Sequence, residues 1–165
     1  MKSEITQKRL QELLDYNESS GEFFWKRTMG GKAKSGDRAG MKLPKGYIFL
    51  KVDQVNYLAH RLVWLYFYGV MPVKLIDNIN GRRDDNRISN LREADHSLNG
   101  QNMRSARSDN KSGLLGVRLA GNRFYAVIRP HKGAKQISLG GFGSAVEAHA
   151  AYLKAKRRFH QGCSI

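Results

Sequence analysis

Asp77, Asn78, Asn90 and Asn99 are the residues of this 165-residue chain whose types and spacing could do chemistry. Asp77 offers a carboxylate and Asn99 an amide oxygen. Both are hard donors of the kind a magnesium-sized cation accepts when water and a phosphate complete its shell. Asn78 follows the carboxylate directly, Asn90 lies twelve residues further on, and Asn99 nine beyond that. An amide has no basicity near neutral pH, so Asn78 can hold a hydrogen bond but cannot take a proton. Taken alone, the set reads as ordinary turn chemistry, because Asp and Asn favour loops. Other metal chemistry is constrained by composition. Cys163 is the single cysteine, which excludes an internal disulfide and a Cys-based zinc site and points to a reducing compartment. His96, His131, His149 and His160 show no ligand-like spacing. His60 reads as a structural residue opening a helix, with a phosphate contact as the alternative, and Trp25 and Trp64 read as core.

The elements that must position these residues follow from periodicity. Residues 5–16 place Ile5, Leu10, Leu13 and Leu14 at helical spacing. Phe23-Phe24-Trp25 reads as a strand and 30–40 as a loop. Residues 47–52 and 55–59 read as strands about a tight Asp53-Gln54 turn, and 61–68 as a helix ended by Gly69 and Pro72. Residues 75–79 and 91–94 form two short extended pieces around a polar loop, and Asp95 caps a helix through 98–103. Three strands at 116–119, 124–129 and 135–142 precede a capping box, Ser144 and Glu147. The helix after it carries Ala148, Ala151, Tyr152, Ala155 and Phe159 on one stripe. The middle strand alternates, with Phe124, Ala126 and Ile128 on one face and Arg123, Tyr125, Val127 and Arg129 on the other.

Charge separates the two ends of the chain. The net charge is +15, and a polyanion is its natural partner. Residues 1–100 hold 17 Lys and Arg against 12 Asp and Glu, whereas residues 101–165 hold 12 against 2. The excess therefore concentrates in the C-terminal part. No apolar run is long enough to span a bilayer, and no signal-like segment opens the chain.

Ala59-His60-Arg61, Ile76-Asp77-Asn78-Ile79-Asn80-Gly81, Asp85-Asn86-Arg87-Ile88-Ser89-Asn90-Leu91 and Asn99 together resemble the HNH endonucleases of phages and their mobile introns. In that family the residue after the aspartate is usually histidine, and here it is Asn78. Residues 113–162 resemble the AP2 domain through Gly116-Val117-Arg118, Phe124-Tyr125-Ala126-Val127-Ile128-Arg129, Leu139-Gly140-Gly141-Phe142 and the Ala-rich helix. The resemblance implies an α+β fold: an N-terminal helix and β-strand region over 1–58, a ββα-metal core over 59–104, a linker over 105–112, and an AP2-like three-stranded antiparallel sheet on one helix over 113–165. It implies Mg²⁺, with Mn²⁺ able to substitute and no structural zinc, held by Asp77 and Asn99. Asn90 would hold the loop, and position 78 is that of the general base. It further implies double-stranded DNA as partner, bound by a monomer through Arg118, Arg123, Tyr125, Arg129 and Gln136, with Lys135 near a phosphate. No membrane is involved, and the setting is the cytoplasm of a phage-infected bacterium.

The expectation is a site-specific, strand-nicking endonuclease impaired at Asn78. The alternatives are a non-catalytic DNA-binding regulator on a nuclease scaffold and an RNA-binding protein. Because the rest of the motif is intact, the Asn78 exchange reads as one that preserves an uncut DNA complex rather than as decay.

Overall fold

The computed structural model describes residues 4–31, 33–160 and 162–163. The chain packs as two compact units, Met1–Ala94 and Asp95–Ile165. The stretch 105–112, expected as a linker, therefore lies within the second unit.

The first unit opens with helix α1, Gln7–Leu13, capped by Thr6, whose hydroxyl accepts from the Arg9 amide at 3.2 Å. The expected helix to residue 16 stops earlier because Leu14–Asn17 forms strand β1 against β2, Glu22–Trp25. The register sets Leu14 opposite Trp25 and Tyr16 opposite Phe23. Leu14 and Phe23 are buried in the core, and pairing there outweighs one more helical turn. Strand β3, Arg38–Ala39, joins this sheet from inside the expected loop. A second sheet comprises β4 (Met41–Lys42), β5 (Ile48–Val52) and β6 (Val55–Leu58). Asp53 and Gln54 adopt φ of 46° and 65°, the two left-handed positions that a tight hairpin turn with native twist demands. Helix α2, Ala59–Tyr68, buries Leu62, Val63 and Leu65, and it ends where Gly69 turns left-handed. The third sheet is a two-stranded hairpin of β7, Leu75–Asn78, and β8, Leu91–Ala94. Ile76 and Leu91 tie it to the same core as Leu10, Phe23, Leu50 and Leu62.

The second unit begins with α3, His96–Gln101, capped as expected by Asp95, whose carboxylate accepts from the Leu98 amide at 2.7 Å. Strands β9 (Val117–Ala120), β10 (Arg123–Ile128) and β11 (Ile137–Phe142) form an antiparallel sheet with β10 in the middle. Helix α4, Ala145–Phe159, covers one face of it, and the Ser144 hydroxyl accepts from the Glu147 amide at 3.2 Å. Val117, Ala126, Ile128, Ala148 and Tyr152 form the core, while Phe159 at the end of the expected stripe is exposed. Gly116, at φ 76°, has to be glycine: a Cβ there would sit 2.0 Å from the Tyr152 ring. Lys156 is buried and donates to the Met103 carbonyl, and the Gly162 amide donates to Gln101 Oε1 at 3.1 Å. The last turn of α4 and Gly162 beyond it therefore fasten α3 and the residues just after it into this unit.

Candidate functional site

Hairpin geometry builds the site of the first unit. Across β7 and β8 the register sets Asp77 opposite Arg92 and Asn78 opposite Leu91. Facing pairs share one side of the hairpin, so Arg92 reaches Asp77 without a long excursion. Its Nε and Nη2 donate to Asp77 Oδ2 at 3.0 and 2.8 Å. Asp77 is 7% exposed, so the guanidinium offsets the cost of burying its charge.

The loop between the strands is organised by amides. Asn78 is buried, and its Nδ2 donates to the Asp85 carbonyl at 2.8 Å. Asn90 Nδ2 donates to that same carbonyl, also at 2.8 Å, and to Asn80 Oδ1 at 3.1 Å. Asn90 Oδ1 accepts from the Asn80 backbone amide at 2.9 Å. The Asp85 carboxylate accepts from Arg87 Nε and Nη2 at 2.9 and 2.6 Å and from Asn80 Nδ2 at 2.6 Å. Those bonds, above all from Arg87, pull its pKa down to about 2, against the opposing effect of burial. One backbone oxygen thus aims two asparagines. Chain reversal brings Asp77, Asn78 and Asn90 together here, whereas Asn99 stands exposed on α3 of the second unit.

His60 lies in the first turn of α2. It is 5% exposed and packs edge-on to Tyr47, with ring centroids 5.5 Å apart. Burial, helped by Arg61, lowers its pKa to about 4, so it stays neutral near pH 7.

Among the described residues no group of three or more His, Cys, Asp or Glu side chains gathers around a common point. A magnesium ion does not need one, since it keeps several waters and takes one or two carboxylates alongside a substrate phosphate. The carboxylate of Asp77 is the kind of donor such an ion takes, and an ion there would share it with Arg92.

The second unit carries a different kind of surface. On the face of its sheet away from α4, Arg118 of β9 lies opposite Tyr125 of β10 in register, and Arg123 precedes Tyr125 by two positions on β10. Arg118, Arg123, Tyr125, Arg129, Lys135 and Gln136 are all exposed. Arg129 comes just after β10, and Lys135 and Gln136 precede β11. Gly141 lies opposite Tyr125, and a Cβ at Gly141 would come within 3.0 Å of the tyrosine ring, so the ring lies across bare backbone. No helix among the described residues is long and apolar enough to cross a membrane.

Sequence reasoning did not single out Arg92, Asn80 or Asp85 as site-builders, nor Tyr16 and Gly21, which hold the loop from the other side. For Arg92 the signal was present, since two strands meeting at Asp77 have a countable register. For Tyr16 no local signal exists.

Residues 57–101 match the family model described as HNH endonuclease. The match runs from β6 to the end of α3. The solved structure of the HNH homing endonuclease I-HmuI, titled for DNA binding and cleavage, is similar over 91% of this chain and 88% of that one, at 17% identity and a TM-score of 0.42. That likeness is too distant to inform the site. None of the curated proteins matches significantly. The hairpin, its amide-bonded loop and the helix after it thus lie within the segment that is similar to HNH endonucleases.

Proposed function

We propose that the chain is a metal-dependent, site-specific DNA endonuclease of the HNH class that nicks one strand of duplex DNA, and that Asn78 impairs it. The observation that carries this reading is the family match laid over a hairpin with a buried carboxylate at Asp77 and an adjacent side chain at 78 held by the Asp85 carbonyl. Asp77 and Asn99 would hold the divalent cation, Mg²⁺ or Mn²⁺. When bound, the ion supplies charge to the scissile phosphate and to the departing 3′ oxygen. Asn90 and Asp85 fix the loop. Position 78 is where a neutral imidazole would take the proton of the attacking water, leaving 5′-phosphate and 3′-hydroxyl ends. The amide present there orients but does not accept the proton, which costs about 10²–10⁴-fold in rate.

The open sheet face of the second unit, read as AP2-like, would lie in a DNA groove, with Arg118, Arg123 and Arg129 on base edges or phosphates and Tyr125, Lys135 and Gln136 beside them. A monomer acting inside a phage-infected bacterium fits this reading. The buried hydrogen bond from the Asn78 side-chain amide favours a second one, a DNA-binding regulator that has kept the loop and abandoned cleavage.

The test is Asn78→His with Mg²⁺ or Mn²⁺ on supercoiled plasmid carrying a site selected from randomised duplexes. Nicking at least about 10²-fold above the parent chain is expected. No nicking, with binding retained, would leave the regulator; tighter binding to structured RNA than to duplex DNA would overturn both.

A further inference from the structure

The loop that aims position 78 is held from outside the family-matched segment. Tyr16 on β1 donates its hydroxyl proton to the Asn86 carbonyl at 2.9 Å and accepts from the Ile88 amide at 3.1 Å. One phenol therefore closes both ends of Asn86–Ile88. At the other end of the same hairpin, Gly21 at φ 75° meets that stretch backbone to backbone. A Cβ there would lie 2.4 Å from the Arg87 nitrogen and 2.7 Å from the Asn86 carbonyl carbon. Neither atom belongs to a side chain that could swing away, so only glycine permits the approach. The Tyr16 ring is fixed in turn by Phe23 at 5.2 Å, Phe67 at 5.4 Å and Tyr66 at 5.8 Å between centroids. Asp85 directly precedes the clamped stretch, and its carbonyl receives both the Asn78 and the Asn90 amides.

We infer that the β1–β2 hairpin is a positioning element of the reaction centre: Tyr16 and Gly21 set the Asp85 carbonyl, and through it the orientation of the side chain at position 78. The path runs Tyr16 hydroxyl, Asn86–Ile88 backbone, Asp85 carbonyl, side-chain amides of 78 and 90. Each link is a hydrogen bond or a peptide unit, so displacement at one end moves the other. A segment cut out as residues 57–101 would lack this support. The importance of position 78 rests on the nuclease reading, whereas the coupling itself does not.

The test uses the full chain and reads the side-chain amides by NMR. Tyr16→Phe removes the hydroxyl and keeps the ring. It is expected to speed hydrogen exchange of the Asn78 and Asn90 side-chain amides about tenfold and to shift their resonances, since the loss of one supporting hydrogen bond makes local opening easier by about that factor. The Asn110 side-chain amide, which donates to Leu114 in the other unit, should stay unchanged and serves as the internal reference. Gly21→Ala should produce the same pattern from the opposite side. If Asn78→His yields a nickase, adding Tyr16→Phe should lower its kcat about tenfold and move its pH–rate profile with DNA affinity unchanged. Unaltered Asn78 and Asn90 amides in a folded Tyr16→Phe chain would overturn the inference. So would a uniform loosening in which Asn110 changes equally. Should Asn78→His fail to nick while the amide effects appear, the coupling stands and the nuclease reading falls.

Discussion

The hairpin loop of the first unit and the open sheet face of the second are both polar, yet they spend their polar groups in opposite ways. In the loop, Asp77, Asn78, Asp85 and Asn90 are buried and bonded to their neighbours. On the sheet, Arg118 and Arg123 point outward and, among the described residues, have no ion-pair partner. Bonds between buried polar groups are strengthened by low local dielectric and are costly to leave unmade, so the loop is rigid. Exposed cations contribute little to stability and remain available to a polyanion. A reacting centre requires fixed geometry, whereas a surface that follows phosphates requires accessible charge.

That contrast can be broken by substitution. The largest effect on stability is expected from Asn90→Ala, which takes the acceptor of the Asn80 backbone amide out of the loop and leaves the Asp85 carbonyl with Asn78 as its side-chain donor. A loss of about 3 kcal/mol in urea unfolding, with an unchanged denaturant slope, would fit. A loss below about 1 kcal/mol would show that water replaces those bonds and that the loop is not rigid. Acid probes the same region. His60 titrates at about 4 when folded and at the ordinary 6.5 when unfolded. The folded state disfavours its protonation, so stability is full above pH 6.5 and declines as pH falls toward 4, by about 3 kcal/mol in all. Asp85, lowered to about 2, adds stability that is present above its ordinary 3.8 and is lost below it, about 2 kcal/mol more. Both tryptophans, Trp25 and Trp64, lie in the first unit, so their fluorescence follows this unit alone. His60→Leu should flatten the part of the profile between pH 4 and 6.5. The smallest stability effect belongs to the sheet: Arg118→Ala should change unfolding by less than about 0.5 kcal/mol. It should nevertheless reduce the slope of log binding constant against log salt by about 0.9 for duplex DNA if Arg118 meets a phosphate. A destabilised protein with an unchanged salt slope would make Arg118 a packing residue.

Much of this arrangement could be read in the sequence, and what could not shares one cause. Helical spacing, the Asp53-Gln54 turn, the Ser144 cap and the alternation of Phe124 through Arg129 are local signals, and each element formed within a few residues of its expected place. Leu14 turned from helix to strand because its partner, Trp25, lies beyond a turn that periodicity does not see. The motif residues around 77–90 announced themselves by type and spacing. Their bonding pattern did not, because an asparagine in a loop looks the same whether it faces water or a buried carbonyl. Tyr16 acts on Asn86 across 70 positions, a distance at which a single sequence carries no trace of contact.

The fastening of α3 bears on the order in which a nascent chain matures. Its Gln101 side chain binds Gly162, and the Met103 carbonyl just beyond it receives Lys156. With only six residues, α3 is far too short to persist in water unaided. During translation the β7–β8 hairpin and its loop can be complete while α3, the bearer of Asn99, still awaits its anchors. Those arrive about sixty residues later, once 156–162 have left the ribosome.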